Sequence, residues 1–431
     1  MALGGGTFAV QNKVLAGSYF NFVSVAKASA NLSDRGVATM PLVLDWGVAG
    51  EVFEVTNGDF QKDSMKIFGY DYAHPRMAGL RDLFLNAKTL YAYRLNGSGA
   101  KASNTYATAK HAGVRGNDIK IAIQENADTD NYYDVITYMD TVKVDSQTVA
   151  TSSELVTNDY VTFKTFDMKV VAGTPLTGGT NSDVTGANHQ EYLDAIEGYA
   201  FNAMGVDTED TATKTLYASF NKRMREEIGL NFQLVVHSKP ADYEGVVNVK
   251  NTCMEGDTKL VYWTTGVIAG CAVNKSNLNK KYDGEFTVNV KYTQKQLENA
   301  IKAGEFTFHN VNGDVRVLAD INSLITTTDT KGDIFKENQT IRVIDQIAND
   351  IAVLFNTKYL GVVQNDASGR VSLWNDIVKH HQQLQDIRAI ENFKPEDVVV
   401  EQGDSKKAVF VSDKITVVNA MAQLYMTVKI A

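Results

Sequence analysis

From residue 184 to residue 330 two hydrophobic periods take turns along the chain. Leu193, Ile196 and Ala200 recur at helical spacing. Leu216, Phe220 and Met224 do so again before Gly229, and Phe232-Gln233-Leu234-Val235-Val236 then reads as a buried strand. Asn188 is expected to cap a helix opening at His189, with Glu191 returning the bond. A third helix is expected from about Lys259 to Val273. It is apolar nearly all round, as a helix with neighbours on every side must be, and Gly266 with Gly270 leaves a notch for close contact. Thr293 and Gln296 have capping-box spacing ahead of Leu297 and Ile301, with Gly304 at the stop. Phe306-Thr307-Phe308 follows, and Asn312-Gly313 predicts a tight hairpin into Val315–Leu318. Such alternation restricts this stretch to an α/β sheet with helices on its faces.

The flanks have other textures. Residues 1–17 read as an N-terminal arm and 18–96 as a segment packing with the core. Within the latter, Tyr19–Val23 and Val37–Leu44 read as strands, and Ala78–Ala87 as a helix striped by Leu80, Leu83 and Phe84. Pro41 removes a ladder donor, so the second strand is expected at an edge or at a bulge. Residues 97–183 are rich in Thr, Val, Tyr and Asp, with strands expected at Lys120–Ile123, Tyr133–Tyr138 and Thr141–Val144. Apolar positions in Val161–Val171 slip by one near Lys164, as a single bulged strand would show, and Gly173–Thr180 reads as loop. This is the pattern of a small antiparallel β-sandwich. After the α/β stretch (184–337), residues 338–431 form a last α+β unit. Ile344, Ile347, Ile351 and Leu354/Phe355 share one helix face, Ile377, Leu384 and Ile387 mark a second helix, and strands are expected at Val398–Val400 and Ala408–Val411. Asp345 and Asp350 read most simply as the solvated side of the first of these helices.

The chain closes on a period of two. Leu424, Met426, Val428 and Ile430 fall on one side, and Tyr425, Thr427 and Lys429 on the other. Near the start, the Gly4-Gly5-Gly6 leader precedes Thr7-Phe8-Ala9-Val10, a short extended piece, and Gly17 ends the arm. Two readings stand at this point: both strands complete the sheets of their own domains, or they are arms whose free edges pair with other copies.

Composition and motifs exclude more than they assign. A length of 431 residues suits two to four domains. The 44% hydrophobic and 22% charged content is that of a globular chain. A net charge of −9 without any basic run argues against coating nucleic acid. Leu260–Asn274 is the longest strongly apolar uncharged stretch, too short for a membrane span, and the start lacks signal-peptide regions, so synthesis and assembly are expected in the cytoplasm. Cys253 and Cys271 form no CxxC pair, which points to a reducing compartment. No HExxH, GxGxxG, GxxxxGK[ST] or GxSxG is present, and His380 and His381 diverge by about 100° on a helix, so no metal, cofactor or catalytic function is expected. The helix expected over Asp376–Glu391 carries Lys379, His380, His381 and Arg388, either as a mixed solvent face or as a basic edge for an acidic partner.

Several stretches closely resemble the contractile tail sheath proteins of myovirus-type phages and phage-tail-like bacteriocins, in their shorter, Gram-positive-host form. They are Arg35–Gly47, Gly113–Ile119, Leu176–Thr180, Asp242–Val246, Leu260–Gly266, Asp314–Asn322, Ile347–Ile351 and Leu424–Val428, an ordered set across nearly the whole chain. The resemblance implies a β-sandwich domain, an α/β domain of subtilisin-like topology and a C-terminal α+β domain, with extended terminal arms. It implies a homopolymer of stacked hexameric rings around a tail tube, contracting to drive that tube through the bacterial envelope. The implied partners are other copies of the chain, the tail tube protein, and baseplate and tail-terminator proteins, without direct contact to nucleic acid or membrane. The implied location is a virion or tail-like particle built in the host cytoplasm. On this reading Thr7–Val10 and Leu424–Ile430 pair between subunits, Gly4, Gly5, Gly6 and Gly17 are hinges, and Lys379, His380 and Arg388 face the tube. The rivals are another structural tail component, tube or baseplate, and a hydrolase on the α/β domain.

Overall fold

A computed structural model describes residues 32–430. The chain enters a seven-stranded sheet at β1 (Val37–Leu42), passes through β2 (Val52–Thr56), α1 (Asn57–Phe68) and α2 (Ala78–Phe84), and returns in β3 (Thr89–Arg94). It then leaves to build the sandwich. There β5 (Ile119–Glu125), β6 (Tyr133–Met139), β7 (Val142–Val149) and β9 (Val171–Pro175) form a four-stranded sheet, and β4 (Ala107–Ala109) pairs with β8 (Val161–Phe163). Trp46 reaches from the first sheet into the sandwich core among Ala102, Ile121 and Leu176.

The chain rejoins the large sheet through α3 (Gly186–Ile196), β10 (Ala203–Gly205), α4 (Thr211–Arg223), β11 (Gln233–His237), β12 (Val246–Val249), α5 (Leu260–Gly270), α6 (Gln294–Lys302) and β13 (Glu305–Phe306). The strand order β13-β12-β11-β10-β1-β3-β2 therefore joins a block from after the sandwich to a block from before it, meeting at β10 and β1, parallel except at β2. Helices cover both faces. Met40, Leu83, Trp263 and Ile268 fill one side, and Tyr192, Tyr217, Phe220 and Phe232 the other. The hairpin of β14 (Phe308–Val311) and β15 (Asp314–Val317) turns at Asn312 and Gly313, with φ of 52° and 92°.

The last unit packs α7 (Asn338–Leu354) and α8 (Ala367–Asp386) beneath an antiparallel pair, β16 (Val398–Gln402) and β17 (Val409–Asp413).

Four local expectations give way. Gly173–Pro175, expected in a loop, belong to β9 and pair with β5. Strand β1 is central, between β10 and β3, despite Pro41. Its odd-numbered residues face β10, as the bond from Asn202 N to Val37 O (2.8 Å) shows, but that ladder stops at Thr39 opposite Met204. Pro41, next in the series, lies past the ladder's end, where no donor is needed. Val161–Val171 is two strands rather than one: β8 and β9 pair with different partners, and residues 164–170 belong to no strand. Helix α3 opens three residues earlier than expected, because Thr185 is the cap and Asn188 returns its bond (Thr185 N to Oδ1, 2.9 Å).

Candidate assembly interface

Helix α7 anchors both ends of the described chain. Gln339, Gln346 and Asp350 are spaced by seven and four residues, which puts them on one stripe about 16 Å long. At one end Gln339 Nε2 donates to Val418 O (3.0 Å), its Oε1 accepts from Ala420 N (3.0 Å), and Thr340 Oγ1 meets Asn419 Oδ1 (3.3 Å). At the other, Ser33 Oγ donates to Asp350 Oδ1 (2.5 Å) and Ser33 N to Oδ2 (3.3 Å), while Gln346 Nε2 reaches Ser33 Oγ (2.7 Å) and Asp350 Oδ2 (2.8 Å). Burial alone would raise the Asp350 carboxyl, but hydrogen bonds from His380, Ser33 and Gln346 hold it below the ordinary carboxylate range.

The same helix ties this unit to the large sheet. Arg225, just past α4, forks onto Asp345 at 2.6 and 2.7 Å, Gln233 Nε2 donates to Asn338 Oδ1 (2.7 Å), and Asn349 exchanges two bonds with the backbone of Asn231. Asp345 and Asp350, expected in solvent, are both inside. Their partners arrive from distant parts of the chain, so periodicity on the helix alone cannot announce them. Ser33, Gln339 and Gln346 were not legible as anchors for the same reason.

Beyond Ala420 the chain leaves the body. No strand includes Leu424, Tyr425, Met426, Thr427, Val428, Lys429 or Ile430, and Leu424 and Ile430 are 86% and 94% exposed. The alternating ending therefore completes no sheet of its own subunit among the described residues. Thr7, Phe8, Ala9, Val10, the expected hinges Gly4, Gly5, Gly6 and Gly17, and the strand expected at Tyr19–Val23 lie outside the described residues. The β16–β17 pair has no third strand among the described residues, and Val399 and Phe410 on it are exposed. Val353, Leu360, Val362 and Val371 add further exposed apolar side chains to this unit.

The expected tube-facing trio separates. His380 is 1% exposed and turned inward onto Asp350, because α8 packs that side against α7, so it offers nothing to a partner. His381 is also buried. Lys379 is exposed on α8. Arg388 is exposed two residues past the helix end with φ of 61°, so the two cations do not share a helical face.

Elsewhere the fold offers a crevice of about 870 Å³ at the carboxyl ends of β1 and β10, where the strand order reverses. Its polar groups are bonded to one another: Asp45 takes Tyr70, Arg76 and Asn181, Lys259 takes Asp207, and His189 Nδ1 meets Tyr217 Oη at 2.8 Å. No serine bonds a histidine there. Among the described residues no three His, Cys, Asp or Glu side chains gather as metal ligands. Cys253 and Cys271 are free and buried, and burial pushes both thiols up, Cys253 to about 12.

A sandwich inserted between two halves of a helix-covered sheet, with a helical unit from which an exposed C-terminal segment departs, defines a multidomain α/β protein. Four family models match in order: the tail sheath domain III N-terminal region (35–95), the phage tail sheath β-sandwich domain (96–181), the phage tail sheath central domain (182–323) and the phage tail sheath C-terminal domain (330–431). The chain belongs to the phage tail sheath protein family. It is a structural subunit of a contractile sheath in a phage or phage-tail-like particle, not an enzyme. The phage-like element PBSX protein XkdK of Bacillus subtilis is 31% identical over 99% of this chain and 100% of its own length. The sheath tail protein of Desulfitobacterium hafniense is 35% identical, with a TM-score of 0.82 over 94% of this chain and 98% of that one. The contracted helical sheath of the anti-feeding prophage shares the fold at 13% identity, with a TM-score of 0.58 over 97% of this chain and 99% of that one.

Proposed function

We propose that the subunit polymerises with other copies of itself into stacked hexameric rings around a tail tube, joined by its two ends. The observation that carries this is the ending itself: a segment with the sequence of a half-buried strand that finds no ladder and no core among the described residues of its own subunit. Leu424–Ile430 and Thr7–Val10 add as strands to neighbouring copies, and the open edges of the β16–β17 pair are the receptor that the body offers them. A two-stranded sheet is marginal alone and gains from such additions. Gly4–Gly6 and Gly17 let the arms turn as bodies shift. Contraction moves each body nearly rigidly while backbone ladders keep neighbours threaded, driving the tube through the envelope. Lys379 and Arg388 face an acidic surface of the tube. The ends of the polymer meet baseplate and tail-terminator proteins, and assembly takes place in the host cytoplasm. The helical sheath and baseplate assemblies of the anti-feeding prophage, in which chains of this fold occur, support the polymeric reading.

Deleting residues 422–431 tests it. The expected result is a folded, monodisperse subunit that forms no long tubes under negative stain. Normal tubes from the truncated chain would overturn the arm reading.

A further inference from the structure

Resting on that reading, we propose that the neighbouring histidines His380 and His381 are positioning residues that set where both chain ends leave the body, one as a neutral ring and the other as an imidazolium. Their surroundings differ in one respect. His380 Nε2 lies 2.9 Å from Asp350 Oδ2, whereas its Nδ1 is buried without a partner. Only the tautomer with its proton on Nε2 satisfies that site, since a second proton would sit on Nδ1 facing no acceptor. Asp350 then accepts from four donors, Ser33 N, Gln346 Nε2 and His380 Nε2 at Oδ2 and Ser33 Oγ at Oδ1. His380 thereby fixes the carboxylate that holds the root of the N-terminal segment.

His381 faces acceptors on both sides. Nδ1 lies 3.0 Å from Ile377 O, and Nε2 lies 2.7 Å from Asp413 Oδ2. Neither a carbonyl nor a carboxylate oxygen can donate, so both nitrogens must carry protons and the ring is cationic. The titratable and charged groups facing it are Asp413 from β17 and His380 on its own helix, with Asp350 of α7 reached through His380. The connection after α8 contributes only the Phe393 ring. Asp413 is the last residue of β17, seven residues before Ala420, where the C-terminal segment departs. The imidazolium thus bolts the β16–β17 pair, and the exit path beyond it, onto α8. Each of the two contacts needs its own proton, so a ring with one proton would hold the exit path by one contact in place of two.

The test uses the full chain labelled with 15N-histidine, the two rings being assigned by His380→Gln and His381→Gln. The expected spectrum at pH 6 shows both His381 nitrogens protonated and His380 protonated at one. In hydrogen exchange, residues 409–420 should exchange about tenfold faster in His381→Leu than in the unsubstituted chain. His380→Leu should speed exchange at Ser33 about tenfold, while His380→Gln, which keeps a donor where Nε2 stood, restores protection. A bare His381 nitrogen in that spectrum, or unchanged exchange of residues 409–420 in His381→Leu, overturns the proposal. Both readouts are taken on the subunit. A truncated chain that still builds tubes would therefore sink the arm reading without touching this one, and the converse holds.

Discussion

Arg225 presents two nitrogens to both oxygens of Asp345, with each side chain only 6% exposed, and this fork is the polar joint between the large sheet and the C-terminal unit. Removing one partner strands the other charge in a dry site. Asp345→Ala should therefore lower unfolding free energy by about 3–5 kcal/mol, read from urea titrations. Replacing both residues with apolar side chains should cost less than replacing either one, because no orphan charge remains. Asp82 works in the opposite sense. It is fully buried, and burial pushes its carboxyl up to about 6, although Tyr282 Oη and Glu285 N donate to it at 2.6 and 2.8 Å. The folded state then holds a proton that the unfolded state has lost, so this group's contribution is fullest below about pH 4 and drains away up to about pH 6. Asp82→Asn should gain on the wild type by about 2 kcal/mol in urea midpoint comparisons between pH 4 and pH 7. Neither residue could be singled out beforehand. Their sequence context is that of ordinary surface acids, and what distinguishes them is a partner or a wall brought in by the fold.

At the scale of elements, the notch on α5 has a precise counterpart in α2. A Cβ on Gly266 would stand 2.3 Å from Leu83 O in α2, and one on Gly270 would stand 1.9 Å from Asn86 O just past its end, so α5 touches α2 and its exit backbone to backbone. Gly270→Ala should destabilise by about 1–3 kcal/mol. Gly186→Ala, in the open first turn of α3, should be neutral or gain about 0.4–1 kcal/mol; thermal unfolding of the pair separates the cases. The strongly periodic elements were legible: the all-apolar α5, the capped α6, the Asn312-Gly313 hairpin, and β5, β6 and β7 of the sandwich. What misled was local chemistry whose meaning depends on neighbours. Pro41 reads as an edge signal until β10 proves too short to reach it. The slip near Lys164 reads as a bulge until its two halves join different sheets. Residues 423–430 read as a strand, yet no partner for them stands among the described residues, so the pattern could be seen and its mate could not.

Two exposed features stand out on the described residues: the apolar C-terminal segment, and the separate cations Lys379 and Arg388, neither of which meets an acid among the described residues. Reversing both with Lys379→Glu and Arg388→Glu should weaken co-sedimentation with tube protein at low salt while empty tubes still form, since the ends are untouched. Unchanged co-sedimentation would remove these cations from the tube contact. That one sheet is built from two stretches on either side of an inserted sandwich leaves no local trace in patterning: each half looks like a complete α/β fragment. That division bears on how the polypeptide emerges from the ribosome. Strand β1 gains β3 soon after synthesis, but its other neighbour, β10, ends at Gly205, 163 residues beyond Leu42. At about 5–20 residues per second the ribosome takes roughly 8–30 s to deliver it. Throughout that interval the middle of the future sheet is an open, sticky border in a cell filling with identical nascent chains, so the newborn sheath subunit should depend on chaperone shielding until its second half arrives.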